Sequence, residues 1–165
     1  MAPQMQSVSH GFDMTFLALQ AVVVLFLVLH DWVNLGSLNN LAAIHDEDTL
    51  QRRVFVTLLP SVPVAIGLFY NARYFGRSYP HWLEILLWIT YGVLLIGILR
   101  AWWLPYLLLP DPERAARYQI IFAGTHTFLP LRNGMVPNTL HTLFHLATAA
   151  TLAALFFRDR MMAHL

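Results

Sequence analysis

Four stretches of this chain are each long and apolar enough to cross a lipid bilayer, and they use up most of its 165 residues. A helix rises about 1.5 Å per residue and the hydrocarbon core is about 30 Å thick, so a span needs roughly 20 apolar residues. The stretches fall at residues 14–32, 53–74, 81–107 and 138–157. In lipid no water satisfies backbone N–H and C=O groups, so each must close its own hydrogen bonds as a helix. The expected fold is an all-α integral membrane protein: a four-transmembrane-helix bundle forming one transmembrane domain over residues 1–165.

Composition agrees. Hydrophobic residues make up 58% of the chain and charged residues 12%, against about 25% charged in soluble domains. The polar N-terminal stretch, residues 1–13, has no Lys or Arg and no small-residue cleavage site. A cleaved leader needs both, so the first apolar stretch is expected to remain as a span. The expected partner is the lipid bilayer, and the expected location is a membrane crossed several times, a bacterial inner membrane. Cysteine is absent, which excludes disulfides, thiolate nucleophiles and CxxC redox chemistry. A net charge of +1 with no basic run gives no signal for nucleic acid.

The ends of the spans carry local signals. Asp46 or Asp48 is an expected N-cap for the second span. Pro60, Pro63 and Gly67 interrupt its middle, where proline removes a backbone donor and crowds the preceding turn. Trp102, Trp103 and Tyr106 mark the far end of the third span as interfacial, and Pro105 is expected to bend it. Asp111-Pro112-Glu113 reads as a cap, a first-turn proline and a first-turn acid. A short interfacial helix at about 112–123 is therefore expected between spans three and four. Asn133-Gly134 is a turn signal, and Pro137-Asn138-Thr139 is a helix start. Ala149 with Ala153, and Ala150 with Ala154, have the small-residue spacing that lets helices approach closely in lipid.

With four spans, both termini share one side. That side has Arg73, Arg77, Arg158 and Arg160; the other has Arg52, Arg53, Arg114, Arg117 and Arg132. With Arg100 close to the second set, the counts are too even for the positive-inside rule to decide, and the loop side is taken as the expected cytoplasmic one.

The same connectivity collects polar side chains at one end. Span one leaves at His30-Asp31, span three arrives with Arg100, the long connection contains His126 and Arg132, and span four enters with His141 and His145. His141 and His145 are four residues apart and share a helix face, which Thr148 continues. Ionisable side chains at such depth are rare and usually face the bundle.

Three chemistries fit this set. The first is a transition metal or haem held by His30, His126, His141 and His145, since neutral imidazole is a common metal ligand. The protein would then be a small redox or metal-handling component. In the second, Asp31, Arg100 and Arg132 bind a ligand, with the guanidinium forks taking the head of a small amphiphile such as a lipid, quinone or isoprenoid. In the third the residues are interfacial and Asp31 pairs with Arg100, in an accessory subunit that works with other membrane subunits. No motif names a reaction, and no residue is assigned a catalytic role. At the opposite end stand His81, Glu84, Trp88 and Tyr91, with Asn71 and Arg73. There an interfacial pair of Glu84 with Arg73 or Arg77 is expected.

Overall fold

A computed structural model describes residues 3–162, and the side chains of residues 10–160. The first residues of the polar N-terminal stretch, Met1 and Ala2, lie outside the described residues, as do residues 163–165. The fold is all-helical. The segments His10–Leu29, Leu50–Arg73, His81–Leu107 and Thr139–Arg160 are long and apolar enough to cross a membrane. They match the four expected spans to within a few residues at each end. Among the described residues there is no strand. One isolated bridge between Arg132 and Met135 closes the Asn133-Gly134 turn, where both residues have positive φ, the geometry that favours Asn-Gly.

The first helix, α1, covers Pro3–Leu29. It stops short of Trp32 because the chain turns at His30. The Asn39 side chain then holds the turn by donating to the carbonyls of His30 and Val33. The charged lead-in to the second span folds as a helix of its own, α2, Leu41–Glu47, with Asn40 as its N-cap. Asp46 lies inside it, and Asp48 is its C-cap. The expected cap of the second span is corrected accordingly. Thr49, whose hydroxyl accepts the Arg52 N–H, caps α3, Leu50–Arg73. Threonine wins because Asp48 is already committed to ending α2.

Helix α3 runs unbroken through Pro60 and Pro63. Helix α4, His81–Ile98, passes into a π-helical turn over Leu99–Trp103 and then α5, Leu104–Leu107. Pro105 is the physical cause: it has no N–H to give and its ring crowds the carbonyl four residues back, at Ala101. That carbonyl is approached by Arg114 Nη1 at 3.5 Å. Asn133 closes the end by donating to the carbonyls of Pro105 and Tyr106. The short helix α6, Pro112–Ile121, is capped by Asp111 as expected. Helix α7 covers Thr139–Met162 and starts on Asn138, whose Oδ1 accepts the His141 N–H.

Each long helix touches two others: α1 packs on α3 and α7, and α4 packs on the same two. Phe16, Val23, Leu83, Leu87, Tyr91 and Leu155 form the centre of the core. Large apolar side chains also point outward, among them Phe55, Leu59, Phe69, Val93 and Ile96. On α7 the outward face takes Ala149, Ala150 and Ala153, so these small residues do not mediate packing inside the molecule.

Candidate ligand site

Two elements carry the histidines, and a third walls them in. His30 sits at the exit of α1, its ring stacked on Phe26 at 4.3 Å. His141 and His145 stand one turn apart on the inward face of α7. The rings of His30 and His141 meet edge to face at 5.6 Å, and those of His141 and His145 at 6.1 Å. The π-helical turn brings two successive indoles to the same place. Trp102 lies 4.7 Å from the His141 ring and 5.7 Å from the His145 ring, and Trp103 lies 5.9 Å from His145. Phe122, just beyond α6, closes on His141 at 4.9 Å, and Phe144 on His145 at 5.6 Å.

Hydrogen bonding fixes the state of two of the three imidazoles. Asn138 donates from Nδ2 to the Leu38 carbonyl, while its Oδ1 accepts the His141 N–H. The amide is thereby oriented, and the contact of His141 Nδ1 with that Oδ1 at 2.9 Å requires Nδ1 to be the donor. Nε2 of neutral His141 is then a bare lone pair. His30 Nδ1 faces the Phe26 carbonyl at 2.9 Å and must donate to it. His30 Nε2 lies 3.1 Å from Asp31 Oδ1, so one proton is held between imidazole and carboxyl. Burial holds His30 below its ordinary value, against the pull of the Asp31 carboxylate and the Phe26 bond. Burial likewise pushes Asp31 up, with His30, Arg53 and His45 pulling down and Asp48 adding to the rise. Both shifts favour the uncharged pair, an acid donating to an imidazole.

His145 differs. Only 3% of it is exposed, and neither ring nitrogen has a hydrogen-bond partner. An imidazole always presents a donor, and when neutral an acceptor as well. Leaving each unmet in a buried site costs about 1–3 kcal/mol.

The structure divides the seven residues singled out from the sequence. It gathers His30, Asp31, His141 and His145. It leaves Arg100 and Arg132 exposed, neither within an ion pair among the described residues. His126 is exposed too. Its Nδ1 meets Thr139 Oγ1 at 2.7 Å, and its backbone stitches the loops by bonding Ser37 and Thr139. Asp31 pairs with His30 rather than Arg100, because Arg100 sits on the outward side of the π turn while His30 is adjacent in the chain. Among the described residues no group of three or more His, Cys, Asp or Glu is disposed to hold a metal ion.

Sequence reasoning missed the walls of the site. Trp102 and Trp103 read as interfacial markers, and Asn138 as a helix start only. The one available signal was Asn138 three residues before His141, a spacing that lets one amide cap the helix and set the imidazole.

At the opposite end Glu84 pairs with His81 at 3.6 Å, not with Arg73 or Arg77. Arg77 instead offers its carbonyl to Arg158 Nη2 at 2.7 Å. Buried Arg158 also approaches Asp13 at 3.8 Å and stacks over the Tyr79 ring at 3.2 Å. Asp13 Oδ2 accepts the Gly76 N–H at 3.0 Å. Tyr79 donates to Asn71 Oδ1, and Asn71 donates to Gln20 Oε1.

No protein-family model matches the chain, and no curated protein or solved structure matches it.

Proposed function

We propose that the four long helices span a bilayer as a bundle, with α6 lying at the interface, and that the histidine end binds the polar head of a small amphiphile. A lipid, quinone or isoprenoid fits the description, entering laterally from the bilayer. The reading is carried by His145: a buried imidazole with both nitrogens unpartnered, enclosed by the rings of Trp102, Trp103 and Phe144. A head group with a carbonyl or hydroxyl completes its bonding, and the rings supply apolar and stacking contact. The neutral His30–Asp31 pair, beside His141, holds one proton that such a head can share. An intramembrane ionisable side chain marks a functional site by default.

The test is extraction of the purified protein, with mass spectrometry of the organic phase, followed by titration with decylubiquinone while tryptophan fluorescence is read. A co-purifying amphiphile and saturable quenching are expected. His145→Ala should weaken quenching about tenfold, the equivalent of about 1.4 kcal/mol and one good buried hydrogen bond, with the thermal midpoint unchanged or raised. Unchanged affinity in that variant removes His145 from the site.

A second reading keeps the metal. The bare Nε2 of His141, beside His145 and His30, has the protonation state that a metal ligand needs. A visible spectrum and elemental analysis of the same sample decide it. A coloured or metal-loaded protein that loses its metal in His141→Ala favours this reading, and a colourless, metal-free, folded protein counts against it.

A further inference from the structure

Further buried polar groups lie between the polar clusters at the two ends of the molecule. Asp13 meets Arg158 at one end, and His30 meets His141 at the other. Both contacts belong to one antiparallel register of α1 on α7, because 13 to 30 and 141 to 158 are equal intervals. Seven residues in from each charged end, Gln20 of α1 therefore falls level with Thr151 of α7. Thr148 lies one turn further toward His145. Gln20, Thr148 and Thr151 are wholly buried. Hydrogen bonds run from Tyr79, on which Arg158 stacks, through Asn71 to Gln20. At about 1.5 Å per residue, the interval from Asp13 to His30 covers about 25 Å, most of a hydrocarbon core.

Packing alone does not account for this column. On α7 the outward positions Leu143, Leu146, Ala149, Ala150, Phe156 and Phe157 are all apolar, while the polar side chains from His141 to Arg158 are all buried. Polar groups inside a membrane span are expensive, and here part of their bonding capacity is unspent. The Tyr91 hydroxyl lies beside Gln20, yet neither that hydroxyl nor Gln20 Nε2 completes a hydrogen bond. The Thr148 and Thr151 hydroxyls donate to the Phe144 and Ala147 carbonyls, which leaves their oxygens as acceptors facing the core. Imidazole, phenol and hydroxyl each accept a proton on one side and release one on another, and amides orient the groups between.

We infer that this column is a proton path through the molecule, linking the Asp13–Arg158 end to the histidine site. A proton moving along it breaks one O–H or N–H bond for each one it forms, and the net result is a proton delivered to the far face. The charged groups that bracket the path are Asp13, Arg158 and Asp159 at one end, and Asp31, His45, Asp48 and Arg53 at the other. The inference rests on the proposed insertion in a bilayer, and the experiment separates the two.

The full chain is reconstituted into phosphatidylcholine vesicles containing a pH-sensitive dye, and a valinomycin–potassium potential drives protons inward. Wild-type vesicles should change internal pH faster than protein-free ones, in proportion to the protein incorporated. Gln20→Leu and Thr151→Val should slow the flux about tenfold, as a barrier raised by about 1.4 kcal/mol does, while Thr151→Ser retains it. Tyr91→Phe removes only an unpartnered hydroxyl, so it folds even where Gln20→Leu does not, and it should slow the flux too. Incorporated wild-type protein no faster than lipid alone, or variants conducting like wild type, overturn the path and leave insertion standing. Protein that fails to float with the vesicles overturns both.

Discussion

A neutral imidazole has one donor and one acceptor, and the three clustered histidines dispose of them in three ways. His30 uses both nitrogens, on Phe26 and Asp31. His141 has one fixed by Asn138. His145 has neither. The site is thus graded from satisfied at His30, at the exit of α1, to unsatisfied at His145, one turn into α7 from His141. The His30–Asp31 pair also imposes a pH dependence whose sign follows from its two shifts. His30 is lowered by burial, so as pH falls through the ordinary histidine range, near 6.5, the unfolded chain binds a proton that the folded one refuses, and stability falls. Asp31 is raised from 3.8. Between that value and its raised one the folded chain holds a proton that the unfolded chain has lost, so acidification raises stability there. The two contributions oppose each other. Asp31→Asn deletes the second and removes the carboxylate that pulls His30 up. The thermal midpoint of that variant should fall more steeply than the wild type's between about pH 7 and pH 5. Parallel curves would show that the pair is not coupled to folding.

At the level of elements, the site depends on how two helices are modified by single residues. Pro105 makes a regular α-turn unfavourable before it, and the π-helical turn that results puts Trp102 and Trp103 over the histidines. π turns inside α-helices are often found at functional sites. In α3 the decisive residue is Gly67. A Cβ there would come within 2.9 Å of Leu87 Cδ2, and Leu87 is wholly buried. Gly67→Ala forces that side chain to move within a packed core and should destabilise the fold by about 1–3 kcal/mol, read as a lower thermal midpoint. A midpoint equal to or above wild type would show that α3 and α4 can separate without cost. The other interior interruptions, Pro60 and Pro63, leave α3 continuous.

For the molecule as a whole, the sidedness of its polar groups is the organising fact. Two loop regions close over the histidine end. They are tied by Asn40 to the Ala123 carbonyl, Asn138 to the Leu38 carbonyl, and the Arg117–Asp48 pair at 2.8 Å. The other end has only the short α3–α4 turn and the two termini. If the bundle spans a bilayer, reporters fused after residue 165 and within residues 75–79 should report the same compartment. One inserted within residues 123–133 should report the other. The same compartment for all three would contradict four crossings.

Local chemistry was enough for the sequence to determine the helices. Twenty-residue apolar stretches have one solution in lipid, and Asp111-Pro112, Asn133-Gly134 and Asn138 act within a few residues of themselves. Helix α2 was not legible, because its charged residues read equally well as an approach to α3. The sequence also determined which end the histidines share, since that follows from connectivity alone. What only the tertiary structure decided is which polar residues meet. Arg100, His126 and Arg132 share that end with His30, Asp31, His141 and His145, yet they face away, because rotation about a helix axis and loop path are set by packing. The partner of Asp31, the indole walls around His145 and the register that sets Gln20 level with Thr151 are contacts between residues far apart in the chain. Hydropathy is a one-dimensional signal and has no means of recording them.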